Sequence, residues 1–121
     1  MAIERVLIHP FPNTYNWRGV CKIWRLWESY PTTKIIEPGD FNSLEDTTYL
    51  NQVEGNLIVG GQAGTVCVGK HLSFLANDQR VKNGIIRVNL SEEATIISPP
   101  SINYLIMKIF VEQGVKIEVV D

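Results

Sequence analysis

The chain has 121 residues, of which 45% are hydrophobic and 20% are charged. This length and composition suit one globular domain over residues 1–121, with a core that needs no disulfide or metal. The formal net charge of −2 argues against a dedicated duplex-DNA-binding domain, because such domains are usually basic.

Two early segments predict buried strands that end at proline turns. Residues 3–9 contain a dense apolar run that stops before Pro10, and residues 32–37 contain two isoleucines and stop at Pro38. Proline has no amide to donate to a strand ladder, so we expect both strands to end there.

Residues 17–27 hold all three tryptophans and predict an amphipathic helix. At about 100° per residue, the tryptophans share one arc with two aliphatic residues, and three cations fall on the opposite side. The competing interpretation is a strand over residues 20–27, since Val, Ile and Trp are good strand formers. Each face of that strand would mix polar and apolar residues, so we favour the helix and expect the tryptophans to anchor it to a sheet. The apolar arc comprises Trp17, Val20, Ile23, Trp24 and Trp27, and the cations are Arg18, Lys22 and Arg25.

The middle of the chain predicts a short helix and a hairpin. Ser43 and Gly55 are suitable caps for the two ends of a partly apolar helix. Residues 56–60 and 65–68 are apolar and β-branched and flank a glycine-rich segment, which favours a hairpin. Residues 70–82 show no clear pattern, and we expect a short helical turn or a loop.

The last third predicts two strands, a helix and a final strand. Residues 85–90 are strand-like, with 94–97 as the expected partner. The strongest helical pattern follows the Ser-Pro-Pro-Ser segment at 98–101 and ends at Gly114. Residues 115–120 then alternate apolar and charged side chains, as a half-buried strand does.

These elements predict an α+β or α/β fold of one domain. We expect a two-layer sandwich in which two main helices cover a mixed sheet of about six strands. Charge lies in blocks, with +3 over residues 1–27, −5 over 28–61, +3 over 62–90 and −3 over 91–121. Opposite blocks can pair on one folded surface or between subunits, so we expect a homo-oligomer.

Cysteine content and hydropathy indicate a soluble cytoplasmic protein without a cofactor or metal. Cys21 and Cys67 are the only cysteines and belong to no C-x-x-C or Cys/His pattern. No segment approaches the roughly 18 uninterrupted apolar residues of a membrane span, and the first residues include no long apolar stretch. We therefore expect no membrane partner.

Residues 64–71 match the spacing G-x-x-x-x-G-K of a phosphate-binding loop. His71 replaces the Ser or Thr that would bind magnesium, and the β-branched residues 65–68 favour a strand over a nest of backbone amides. We expect no nucleotide-hydrolysing loop here.

Catalytic and metal-binding patterns are weak. The only histidines, His9 and His71, have no nucleophile at a diagnostic spacing, so structural roles are favoured for both. Four carboxylates lie between residues 37 and 46 without the spacing of a calcium loop, which favours a solvated acidic stretch.

Anion binding is the best-supported chemistry. Ligands gather where strands end and helices begin, because free amides and the helix dipole favour negative charge there. The sequence predicts two such helix starts with capping oxygens, one after His9 and one at residues 98–101. Cations of the tryptophan segment can add charge-assisted contacts at the first of them. The candidate ligand-binding residues are His9, Asn13, Thr14, Asn16, Arg18, Lys22, Arg25, Ser98 and Ser101.

The leading hypothesis is a small, non-enzymatic, homo-oligomeric module that binds an anionic small molecule, either a nucleotide or a short nucleic acid. One alternative is a protein-interaction or assembly subunit whose charge blocks and sheet edges make the contacts. The other is a metal-dependent hydrolase that uses the carboxylates of residues 37–46 with a histidine.

Overall fold

The computed structural model describes residues 2–10 and 17–121. In this part of the chain, five parallel strands form one sheet in the order β2-β1-β3-β4-β5. The strands are β1 (Ile3–Ile8), β2 (Thr33–Ile36), β3 (Val53–Gly61), β4 (Arg87–Thr95) and β5 (Glu118–Val120).

The described helices lie between the strands. The α-helices are α1 (Val20–Glu28), α2 (Gly69–Ala76), α3 (Gln79–Lys82) and α4 (Pro99–Gln113). Short 3-10 helices occur at Trp17–Gly19, Asn42–Leu44 and Thr48–Gln52. A π-helical segment, Gly64–Val68, runs directly into α2.

Two separate hydrophobic clusters cover the two faces of the sheet. Alternation along β1 directs Leu7 to one face and Val6 and Ile8 to the other. Leu7 packs with α1, whereas Val6 and Ile8 belong to the cluster that contains α2 and α4. The molecule therefore has three layers, with helices on both faces of the sheet.

The direction of the strand order explains which face each connection covers. The connection from β1 to the edge strand β2 contains α1 and covers one face of the sheet. The connections from β2 to β3, from β3 to β4 and from β4 to β5 run in the opposite direction along the strand order and cover the other face. This is the pattern expected when every crossover between parallel strands is right-handed.

The tryptophan helix is confirmed. Trp24 and Trp27 are buried against β1 and β4, while Lys22 and Arg25 are exposed on the outer side. The helix begins later than the predicted caps suggest, because Gly19 is its N-cap residue in a left-handed conformation. The side chain of Trp17 lies outside the described residues.

A bulge in β4 receives the indole of Trp24. Val59 of β3 pairs with Leu90 of β4, and Gly61 pairs with Thr95. Between these pairs β4 has four residues where β3 has one, so β4 carries three extra residues. Buried Ser91 closes the bulge, since its Oγ accepts from the Ala94 N–H at 3.2 Å and its carbonyl accepts from Thr95 Oγ1 at 2.6 Å. The Ala94 carbonyl accepts a hydrogen bond from Trp24 Nε1 at 2.7 Å.

The structure corrects the expected sheet and layers. The described sheet has five strands and is wholly parallel, where about six strands in a mixed sheet were expected, and it is covered on both faces. Residues 65–68 are helical and form no hairpin with 56–60. Segments 85–90 and 94–97 are not partner strands, since residues 87–90 and 94–95 belong to the single bulged strand β4. Packing of the helix start against α4 overrides the strand propensity of residues 65–68. The segments predicted as a helix after Ser43 and as a loop over 70–82 form two 3-10 helices and two α-helices respectively.

Two glycines in β3 allow close packing at the centre of the sheet. A Cβ on Gly60 would lie 2.8 Å from the Cβ of Ala94 and 3.0 Å from the ring of Trp27. Gly61 has φ +144°, and a Cβ there would overlap the carbonyl oxygen of Ile8 in β1. Any side chain at either position would push β3 away from its neighbours.

We expect Gly61→Ala to lower the free energy of unfolding by about 2–6 kcal/mol, from backbone strain and overpacking together. Gly55→Ala is the matched control, since Gly55 also has positive φ but a Cβ added there would meet nothing within 4 Å. Its expected cost is only about 1–2 kcal/mol. Urea unfolding measures both, and equal losses would contradict the packing role of Gly61.

Candidate functional site

The carboxyl edge of the sheet brings four chain segments together. The amides of His9, Gln62 and Ile96, which follow β1, β3 and β4, each donate to a carbonyl of the neighbouring strand at 2.8–3.0 Å. The strands therefore end at the same level. The paired residues that mark this edge are Ile36, Ile8, Gly61 and Thr95.

The strand order reverses between β1 and β3 at this edge. The chain leaves β1 for the outer strand β2 and then returns across β1 to form β3. In open parallel α/β sheets, ligands bind in the crevice outside the carboxyl ends of the strands at such a reversal. Because α1, α2 and α4 each follow a strand, their N-termini begin on this side of the sheet.

β3 leads into its helix through a tight turn, which we call the β3–α2 junction (residues 61–65). Gly61 and Ala63 both have positive φ, at +144° and +57°. A Cβ on Gly64 would come within 2.6 Å of the Cβ of Ile97, so the helix start packs directly against the segment after β4. The junction places a 13-residue helical run, Gly64 to Ala76, with its first amides at the edge.

Gln62 supplies a buried acceptor at the junction. Its backbone amide donates to the Ile8 carbonyl at 2.9 Å. Its side-chain Oε1 is buried and has no hydrogen-bond partner among the described residues. An unpaired buried acceptor is costly in free energy.

His9 holds the end of β1 to the loop after β2. Its ring is buried, Nε2 donates to the Asp40 carbonyl at 3.2 Å, and its edge meets the ring of Phe41 with centroids 5.3 Å apart. His9 also has positive φ, at +51°. The residue predicted to bind a ligand thus lies at the carboxyl edge, but its ring already makes structural contacts.

The predicted cations separate along the first helix. Arg18 lies in the 3-10 turn before α1 with φ +48°, so it is at the end of the helix that faces the carboxyl edge. Lys22 and Arg25 are exposed on α1, and Arg25 is in its last turn, away from that edge. The other predicted residues of this region, Asn13, Thr14 and Asn16, lie outside the described residues.

Ser98 and Ser101 stand at the start of α4. Ser98 is the N-cap residue, but its side chain makes no capping hydrogen bond and donates instead to Ser101 Oγ at 3.2 Å. Pro99 and Pro100 occupy the first helical positions and have no N–H. The first two helical positions of α4 therefore have no amide to offer to an anion.

The acidic segment forms turns. Asp40 accepts from the amide and hydroxyl of Ser43, and Asp46 accepts from those of Thr48. The Ser43 hydrogen bonds lower the pKa of Asp40, and the Thr48 hydrogen bonds lower the pKa of Asp46. Glu45 pairs with Lys70 at 3.7 Å. Among the described residues, no group of three or more His, Cys, Asp and Glu side chains could hold a metal ion.

His71 is part of a buried polar network. Its Nδ1 donates to the Leu44 carbonyl at 2.8 Å, so the neutral ring accepts at Nε2 from the Tyr49 hydroxyl at 2.7 Å. Burial lowers the pKa of His71 and raises that of Tyr49. The network joins both 3-10 helices after β2 to α2, and it fits the structural role that the sequence favours for His71.

The Cys67 thiol is shielded from solvent. It is buried in the π-helical segment, and burial raises the pKa of its thiol. The protonated thiol is a weak nucleophile.

No known protein was found to be related to this chain. Comparisons with family models, with curated proteins and with solved structures each gave no significant match. Within residues 2–10 and 17–121, no helix has both the length and the apolar character needed to cross a bilayer.

The β3–α2 junction was missed as a site because residues 65–68 predicted a strand. The available signal was the G-x-x-x-x-G-K spacing directly after an apolar strand. The structure does place a strand, a turn and a helix in that order. It does not form a phosphate-binding loop of the usual kind, because residues 64–68 are already helical and His71 is buried in the network with Tyr49.

Stability should depend on pH through His71. Because its pKa is lower in the folded chain than the ordinary 6.5, the unfolded chain binds more protons below that pH. The contribution of neutral His71 to the free energy of unfolding is therefore present above pH 6.5 and is lost as the pH falls below that value. Between about pH 7.5 and 5.5 the loss reaches at most about 1.4 kcal/mol.

His71→Asn is the matched variant, since its amide can still donate to the Leu44 carbonyl but does not titrate. Urea unfolding of both chains at the two pH values should show a smaller loss in the variant. An identical loss in both chains would assign the pH dependence to other groups.

Proposed function

We propose that this protein is a non-enzymatic binding module for a small anionic ligand that also carries hydroxyl or amino groups, as a nucleotide does. The observation that carries the proposal is the β3–α2 junction, where a helix of 13 residues begins at the reversal of strand order. Unpaired amides and the helix dipole at such a position favour a negative group.

The hydroxyl or amino groups of the ligand are inferred from Gln62. The buried Oε1 of this residue lacks a partner among the described residues, and an oxygen acceptor needs a donor. A phosphate ester of a polyhydroxy or amino compound supplies both the anion for the helix start and the donor for Gln62.

The size of the cationic region favours a small ligand over a nucleic acid strand. Arg18 lies beside the edge, whereas the outer cation Arg25 lies at the far end of α1. A strand of nucleic acid would need a basic track that continues from the edge along the helix. We therefore place Lys22 and Arg25 outside the binding site.

Arg18→Ala and Arg25→Ala are a matched pair for testing the site. Titration calorimetry with adenosine monophosphate should show binding to the natural chain and a loss of about tenfold to a hundredfold in Arg18→Ala, because a charge-assisted hydrogen bond is removed. Arg25→Ala should stay within about twofold. Absence of binding to the natural chain would refute the proposal. Equal weakening in both variants, with tighter binding of oligonucleotides, would favour a nucleic acid surface.

Gln62→Leu separates the two parts of the ligand. It should weaken the binding of adenosine monophosphate and leave that of inorganic sulfate unchanged, since sulfate carries no hydrogen to donate to the Gln62 oxygen. Equal loss of both probes, with the fold intact, would contradict the role of Gln62.

A further inference from the structure

A groove lies between α2 and α4, the two helices that cover the same face of the sheet. A Cβ on Gly69 of α2 would lie 3.0 Å from a methyl carbon of Leu105 of α4, so the missing side chain lets the two helices approach closely. Both residues are buried and form the floor of a cavity of about 370 Å³. This volume is within the range of cavities that hold small molecules.

Each helix contributes one aromatic ring and one cation to the cavity, which we call the α2–α4 groove. Lys70 and Phe74 are four residues apart on α2, and Tyr104 and Lys108 are four residues apart on α4. Each pair therefore lies on one side of its helix. Phe74 is half-buried, whereas 65% of Tyr104 is exposed. A flat apolar group between the two rings removes apolar surface of both from water.

The charge of the α2–α4 groove is positive. Among the described residues that line it, none is acidic. Lys108 makes no ion pair within the described part of the chain, and Glu112, one helical turn further on, lies outside the cavity. Lys70 pairs with exposed Glu45 at 3.7 Å, which is a weak contact in water. Two cations without a strong partner favour an anionic group beside the rings.

We propose that the α2–α4 groove binds a small aromatic carboxylate. Its ring lies between Phe74 and Tyr104, and its carboxylate accepts hydrogen bonds from Lys108 and Lys70. The ring and cation of each helix are about 6 Å apart along the helix axis. This length suits a molecule of one or two rings and is much shorter than the contact that a helix of a partner protein makes.

This site is separate from the anion site at the β3–α2 junction and does not depend on it. Of the junction residues, only Thr65 lines the α2–α4 groove, and Gln62 does not. Arg18 precedes α1, which covers the opposite face of the sheet. Variants and probes can therefore test the two sites one at a time.

Two matched probes, 3-phenylpropionate and its neutral amide 3-phenylpropionamide, test the groove by ¹H–¹⁵N NMR titration of the full chain. The carboxylate should give saturable shifts at the amides of Gly69, Phe74 and Lys108. It should bind about threefold to tenfold more tightly than the amide, because only the carboxylate forms ion pairs with the lysines.

Lys108→Ala tests the recognition of charge. It should weaken the binding of 3-phenylpropionate about threefold to tenfold and leave that of 3-phenylpropionamide within about twofold, because the amide makes no ion pair. Lys22→Ala, on α1 at the opposite face of the sheet, is the matched control and should change neither. Arg18→Ala should also change neither, although it weakens the binding of adenosine monophosphate at the junction.

Tyr104→Ala tests the recognition of the ring. It should weaken both probes alike, about threefold to tenfold, because one of the two aromatic walls is removed. Phe110→Ala is the matched control, since Phe110 is an exposed ring on the same helix that does not line the groove. Circular dichroism checks that these exposed substitutions leave the fold intact.

Four results would each overturn the proposal. They are the absence of saturable shifts in the groove, equal affinity for the carboxylate and the amide, equal effects of Lys108→Ala and Lys22→Ala, and shifts confined to Gln62 and Ala63. The last of these would assign the probe to the β3–α2 junction. Shifts of the groove amides that depend on protein concentration without a probe would assign the groove to a contact between two copies, and would overturn the proposal as well.

Discussion

The close packing at the centre of the sheet depends on two glycines of β3, Gly60 and Gly61. Gly60 leaves room for both the ring of Trp27 and Ala94 of the bulged strand, which meet where its Cβ would be. Gly61 lets the backbone of β3 approach Ile8 so closely that the two strands end at the same level. The carboxyl edge, the sharp turn into the helix at residue 64 and the docking of α1 all follow from this close approach.

Polar groups fix the outer elements to this centre. The Trp24 indole donates to the bulge in β4, which ties α1 to the sheet at one defined position. On the other face, the Tyr49 and His71 network ties the irregular segment after β2 to α2. Each of these buried hydrogen-bonding groups has a partner, and such satisfied networks specify one arrangement of otherwise interchangeable apolar contacts.

Strands and helices with strong local patterns could be predicted from the sequence. The apolar run before Pro10, the tryptophan arc and the helix between Pro99 and Gly114 carry their signals in neighbouring residues. The parallel sheet could not be predicted, because it depends on contacts between distant segments. Residues 65–68 are mostly β-branched, yet they are helical, with Gly64 and Gly69 packed closely against Ile97 and Leu105. The end of β1 near His9 could be predicted, because Pro10 marks it locally. The β3–α2 junction was missed, because it depends on packing against the distant Ile97.

We propose above all that the carboxyl edge between β1 and β3 binds an anion. A ¹H–¹⁵N NMR titration of the full chain with inorganic pyrophosphate tests it most directly, because every backbone amide reports separately. Anion binding at this edge should give saturable shifts concentrated at the amides of Gln62, Ala63, Gly64 and Thr65, with smaller shifts at Arg18. Unsaturable shifts spread over exposed lysines and arginines, or no shifts at the β3–α2 junction, would contradict it.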